Sequence, residues 1–327
     1  MADSKPVDVP ELGFWEKADL SLAQLTIATN ALMAAITGVF RGSASPKKYS
    51  HHITAAAIRR MCDRTSDRQK QAMFPPSTSV YTSVMQKRGL EPEIQPSHPI
   101  FEFWLDLLQV VNDSGHDIAV FFPRYTLTPY GTYPTQLRQA TEALRYILNE
   151  TGRSPGNVVV GGDSAGGNLA MATLLHLSHP HPEIEPISLS EPLAGVFGFA
   201  PWINFSHEGP SFKENEWKDI LTRNVLNNWS ASYLGGKVKD NWNEPDKAPA
   251  EWWQDAKTER ILILAGGDEI LLSPIEQFAK KIKSVFPNTT YVVGYDEAHD
   301  APFYTDAGSK EGTQTSRELR KWIASRL

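Results

Sequence analysis

From about residue 100 to the C-terminus, short apolar runs alternate with segments of helical spacing, and no other feature restricts the fold so strongly. Val158–Val160, Ala194–Ala200, Ile261–Leu264 and Tyr291–Val293 read as strands. Ala165–Leu177, Pro274–Val285 and Thr315–Leu327 carry helical spacing between and after them. Upstream, Phe101–Val111 and Pro134–Glu150 read as helices and Ile118–Phe122 as a further buried-strand run. Strands without a polar face must be covered on both sides, and a parallel crossover needs a connection long enough to hold a helix. The pattern therefore predicts an α/β protein built on a mainly parallel sheet.

Two regions fall outside this rhythm. Residues 1–90 read as an N-terminal helical region, with helices over Leu20–Phe40, Ile53–Asp63 and Ser77–Arg88. Leu20–Phe40 has no charged residue, and Leu22, Leu25, Leu32, Ile36 and Val39 fall on one stripe of a helix,. The expectation is an amphipathic helix packing that stripe inward. The preceding charges (Asp3, Asp8, Glu11, Glu16) are acidic, the wrong flank for a secretory signal, and membrane association through residues 20–40 is the alternative,. The second region, residues 203–255, follows Trp202 and holds Trp217, Trp229, Trp242, Trp252 and Trp253. So many tryptophans do not suit a disordered linker, and the segment reads as an inserted cap. Residues 91–202 and 256–327 are then the core.

Charge and cysteine content narrow the partners. The net charge is −6 and Cys62 is the one cysteine. Nothing electrostatic favours nucleic acid, an internal disulfide is ruled out, and a cytoplasmic setting is expected.

The chemical signal is Gly162-Asp163-Ser164-Ala165-Gly166, with a strand before it and a helix after it. A serine projecting from such a turn needs small neighbours, and the free N–H groups of the new helix can steady negative charge. A serine is a poor nucleophile until a base takes its proton, and the base works best when a carboxylate orients it. His299 follows the last strand and Asp268 follows Ile261–Leu264 through Ala265-Gly266-Gly267. The order Ser164, Asp268, His299 is that of a nucleophile-elbow hydrolase. Glu269, Asp296 and Asp300 are rival carboxylates. His176, His179 and His181 have a spacing that could suggest a metal, but the neighbouring Pro180 and Pro182 favour a plain loop,.

Here the chain resembles the hormone-sensitive-lipase-like esterases of the α/β-hydrolase fold, in particular their fungal members. The resemblance rests on GGDSAGGNLA around Ser164, YTLTP at Tyr125–Pro129 with Tyr133-Pro134, GGDE at Gly266–Glu269, and EAHDAP at Glu297–Pro302. It covers about residue 100 to the C-terminus. It implies hydrolysis of a carboxylic ester without metal or organic cofactor, with Ser164, Asp268 and His299 as triad and a two-part helical cap. It also implies, for a fungal member, an ester or lactone of secondary metabolism.

The chain departs from that family in one respect. Members carry an H-G-G-G stretch whose glycine N–H groups bind the oxyanion, whereas this sequence has no His-Gly dipeptide. Between Gly89 and Phe101 there is only LEPEIQPSHPI. A real deletion and an omission in the gene model would both leave this gap. The sheet is then expected to be shortened: either Ile118–Phe122 lies directly against Val158–Val160, giving roughly five parallel strands, or the order around the site is compromised. The Ala165 N–H remains as oxyanion donor, and loss of one such donor costs roughly 10²–10³ in rate.

The sequence therefore predicts a serine esterase acting on an apolar or aromatic small-molecule ester through an acyl-enzyme. A hydrolase-like binding protein without turnover and an amidase or formamidase on the same triad are the alternatives.

Overall fold

In the computed structural model the described residues are 10–74, 99–113, 115, 118–305 and 312–325. The helix expected over Ser77–Arg88 lies outside them. The chain divides into two compact units: residues 1–40, 49–120 and 302–312, and residues 41–48, 121–301 and 313–327. The tryptophan-rich insert belongs to the second unit, together with the sheet.

The second unit is built on four parallel strands, β1 (Val159–Asp163), β2 (Gly195–Phe199), β3 (Ile261–Gly266) and β4 (Thr289–Gly294), in the order β1-β2-β3-β4. Val160 lies opposite Val196, Phe197 opposite Leu262, and Leu264 opposite Val292. Every residue of β2 and β3 is buried, as expected for central strands covered on both faces,. The expected pairing of Ile118–Phe122 with β1 is not found. Those residues form no strand, and β1 is an edge of the sheet with partly exposed residues. Phe121 is 51% exposed, so the apolar run that suggested a strand lacks the covering a buried strand needs.

In order along the chain the α-helices of the described residues are α1 (Phe14–Thr37), α2 (Tyr49–Arg64), α3 (Asp67–Met73), α4 (Pro99–Asp113), α5 (Thr135–Glu150), α6 (Ser164–Ser178), α7 (Ser211–Glu214), α8 (Arg223–Leu234), α9 (Ala250–Gln254), α10 (Leu272–Val285), α11 (Pro302–Thr305) and α12 (Gln314–Ala324). Within the second unit, helices cover both faces of the sheet. Helix α6 is buried continuously from Gly167 to Leu177, which accounts for its apolar character all round,. Successive residues of a strand point to opposite faces. Phe197 of β2 accordingly meets Trp322 of α12 on one face, while a side chain at Gly198 would meet Met171 of α6 on the other.

Most of the insert's tryptophans pack into the unit, although Trp217 is 59% exposed. Trp253 is fully buried edge-to-face against Phe278 of α10, and Trp202 packs on Phe205. Trp242 and Trp252 surround His179 and His181, whose ring nitrogens engage Asp255 and the Glu183 N–H.

In the first unit α1 packs on α2, but not through the expected stripe. Leu22, Leu25, Leu32, Ile36 and Val39 are 54–67% exposed, whereas Ala23 and Ala34 are buried. Small residues allow close approach of the two helices, with Ala55 and Ala56 buried on α2. The Asn30 amide donates to the Ala56 carbonyl (2.9 Å), and Arg64 Nη1 lies 3.1 Å from Asp19. Residues 14–40 form a helix long and apolar enough to cross a membrane.

Candidate active site

Three strand ends supply the site. The first is the turn from β1 into α6. Ser164 adopts a left-handed backbone conformation (φ 49°), unfavourable for a residue with a side chain and held here by its surroundings,. The Trp202 N–H donates to the Ser164 carbonyl (3.0 Å). A Cβ at Gly162 would lie 2.5 Å from the Gly166 carbonyl oxygen, so the sharp turn requires glycine there. Ala165 sits in the first turn of α6, where the backbone N–H groups have no partner within the helix,.

The second end is the loop after β3. The Gly267 N–H donates to the Gly294 carbonyl and the Asp268 N–H to the Glu297 carbonyl, both at 2.8 Å. These bonds tie the loop to the chain leaving β4. The turn closes with the Glu269 N–H on the Gly266 carbonyl (3.3 Å), and Glu269 folds back so that its Oε1 accepts from the Gly266 N–H (2.6 Å). The Glu269 side chain is completely buried. Asp268, one residue earlier, turns the other way and pairs with Lys218 at 3.0 Å.

His299, on the loop after β4, closes the set. Its Nε2 is 2.8 Å from Ser164 Oγ and its Nδ1 is 2.8 Å from Glu269 Oε2. Of the three residues expected to converge, Ser164 and His299 do. Asp268 does not, because the turn directs its carboxylate to Lys218 and delivers that of Glu269 to the imidazole. The sequence offered Glu269 as a rival. No local signal separates the two carboxylates, because the turn that directs Glu269 inward is held by backbone bonds to Gly266, Gly294 and Glu297. Asp296 pairs with Lys47.

Asp300 is nearer the chemistry. Its Oδ2 lies 3.2 Å from His299 Nε2, on the side of the ring that faces the serine, and its backbone is also left-handed (φ 52°). Burial alone would lower the His299 pKa, but the carboxylates of Asp300 and Glu269 override it and hold the imidazolium well above the ordinary range,. Burial pushes the Glu269 carboxyl up to about 7 against the opposing pull of His299. Asp163, beside the serine, is also raised to about 7, by burial and then by the charge of Asp300. Ser164 Oγ and Asp300 Oδ2 thus share Nε2, while Glu269 engages Nδ1. A neutral ring can take the serine proton, and a charged one is stabilised on both sides.

A serine on a strand-to-helix corner, an imidazole from the loop after the last strand and a buried carboxylate behind that imidazole, all at the carboxyl edge of a parallel sheet, define the nucleophile-elbow class of α/β protein. A profile of the alpha/beta hydrolase fold matches residues 109–303, and the chain belongs to that family. It is 27% identical over 249 residues to Steryl acetyl hydrolase 1 of Saccharomyces cerevisiae, a match covering 66% of this chain and 54% of that protein. An acetyl-hydrolase of Streptomyces hygroscopicus is 32% identical over 154 residues, covering 47% of each chain. The chain thus spans about half the length of these curated relatives. Among solved structures, an esterase from the bacterial hormone-sensitive lipase family is 26% identical, with a TM-score of 0.53 over 62% of this chain and 64% of that one.

Proposed function

We propose that the protein is a serine hydrolase that cleaves a carboxylic ester. The observation that carries this reading is the continuous path from Ser164 Oγ through His299 to Glu269, with both contacts at 2.8 Å. Ser164 attacks the ester carbonyl as His299 Nε2 takes its proton, forming a tetrahedral intermediate. His299 then gives that proton to the departing alcohol, leaving an acyl-serine that a water, deprotonated by the same nitrogen, releases as the acid. Glu269 fixes the Nδ1–H tautomer and stabilises the imidazolium. The Ala165 N–H, at the positive end of α6, donates to the oxyanion.

The named relatives support a short acyl group, acetate above all, on an apolar alcohol. The exposed stripe of α1 supports membrane association through residues 20–40, which would suit such a substrate. The test is turnover of p-nitrophenyl acetate and labelling by a fluorophosphonate, beside Ser164→Ala. Both signals should vanish in the variant, and a folded wild-type chain giving neither would overturn the proposal.

The absence of a His-Gly dipeptide favours a second reading, a pocket that binds esters without cleaving them. Under that reading the same assay finds no turnover, while a non-cleavable ester analogue still binds.

A further inference from the structure

Asn215–Asp219 (NEWKD) lies within the tryptophan-rich insert, yet the side chains of Asn215 and Asp219 end on the two loops that carry Glu269 and His299. Asn215 Nδ2 donates to the carbonyl oxygens of Gly267 (3.0 Å) and Glu269 (2.9 Å), one on each side of Asp268. Asp219 is completely buried. Its Oδ2 accepts from the Ile270 N–H (2.6 Å), and its Oδ1 from the N–H groups of Ile220 (2.6 Å) and His299 (3.1 Å). The Lys218 and Asp219 N–H groups both donate to the Asn215 carbonyl at 3.0 Å. That turn puts positions i and i+4 on one side, so both side chains reach the same target.

We infer that Asn215 and Asp219 are positioning residues, a clamp from the insert that fixes the acid loop and the histidine loop relative to each other. This inference rests on the hydrolase reading above. The backbone bonds that tie the acid loop to the chain leaving β4 end at Gly294 and Glu297 and do not reach His299 itself. One carboxylate that grips the backbone of His299 and the backbone next to Glu269 removes the sliding freedom between them. A buried carboxylate is costly to desolvate, and three N–H donors are the compensation this site supplies. A neutral side chain of the same shape cannot replace it, because an amide would set an N–H group against an N–H donor. Burial raises the Asp219 carboxyl, whereas the charge of His299 and the three N–H groups oppose that rise. Its negative charge therefore also helps hold the imidazolium.

The experiment compares wild type, Asp219→Asn and Asn215→Ala, each checked for folding by thermal melting. Activity is measured on p-nitrophenyl acetate across pH. A second readout, independent of turnover, is the low-field proton resonance and titration of His299 in histidine-labelled protein. Displacement of reacting groups by about 1 Å costs about 10²-fold. Asp219→Asn should lose that much in kcat with KM little changed. Its acid limb of kcat/KM should move to lower pH, since the imidazolium loses a neighbouring negative charge. Asn215→Ala should lower kcat without moving the limb, because it removes no charge. A purely structural role would lower the melting temperature and leave limb and resonance in place.

If wild type turns over and both folded variants match it in kcat and limb, the clamp is refuted and the hydrolase reading survives. If wild type is inert, that reading fails, and the resonance decides: an unchanged His299 signal in folded Asp219→Asn refutes the clamp. Should Asp219→Asn not fold, a wild-type kcat and His299 resonance in Asn215→Ala refute it instead.

Discussion

Exchange of Glu269 for glutamine, set beside the same exchange at Asp268, tests the assignment of the acid. The two oxygens of Glu269 meet two donors, the Gly266 N–H at 2.6 Å and His299 Nδ1 at 2.8 Å. Glutamine supplies one oxygen and one NH₂ group. If the oxygen stays on Gly266, the NH₂ faces Nδ1 and favours the ring tautomer with its proton on Nε2. That proton then points at Ser164 Oγ, and the ring cannot act as base. Wrong-tautomer substitutions of this type cost about 10⁴ in kcat, or about 5.4 kcal/mol at 1.36 kcal/mol per decade. If the oxygen instead turns to Nδ1, the tautomer survives, the imidazolium loses its charge partner and a buried N–H opposes an NH₂, so the loss is smaller but still above about 10². Glu269→Gln should therefore fall by about 10²–10⁴.

Asp268→Asn breaks only the pair with Lys218, in which the side chains retain 14% and 23% exposure. Breaking such a largely buried pair costs about 1–3 kcal/mol of stability and leaves the tautomer untouched. Its kcat should stay within about threefold of wild type, with a lower melting temperature. Initial rates on p-nitrophenyl acetate, with thermal melts of the same samples, measure both. An Asp268→Asn enzyme crippled by 10³ beside a nearly intact Glu269→Gln would refute the reasoning and restore the acid that the chain order first suggested.

Three further outcomes follow from the same geometry. Catalysis needs a neutral His299, and its pKa is raised, so kcat/KM should fall with decreasing pH through a limb above the ordinary imidazole range; Asp300→Asn, which removes one of the two carboxylates, should move that limb to lower pH, and an unmoved limb in a pH–rate profile would refute the role of Asp300,. Gly162→Ala drives a Cβ against the backbone of Gly166 and should cost about 1–3 kcal/mol in denaturant unfolding together with most of the activity; a fully active variant would show that the corner can relax,. Serine at Leu22, Leu25 and Ile36 should weaken sedimentation with phosphatidylcholine vesicles by about tenfold per substitution if the α1 stripe enters lipid, while equal binding of wild type and the triple variant would exclude it,.

How far the site could be read from the sequence depended on where each constraint resides. The serine corner is local: Gly162 must be small because a Cβ there would strike the Gly166 backbone, and the pattern showed it. His299 was legible for a similar reason, since it follows the last strand of a regular alternation. The acid was not, because the choice between Asp268 and Glu269 depends on a turn closed by a bond to Gly266 at the end of β3 and by bonds to Gly294 and Glu297 at the end of β4 and in the loop beyond it. The stripe on α1 showed the same limit in another form. Its spacing gave the helix correctly, but periodicity cannot say which face a neighbour takes, and α2 took the alanines. Nothing in the insert's tryptophans pointed to Asn215 and Asp219 either. Their function is set by what arrives from β3 and β4, so a polar pair four residues apart reads as ordinary surface until the fold buries it. Residues that act on the reacting atoms were thus largely visible as motifs, and residues that hold those groups in place became visible only through the packing.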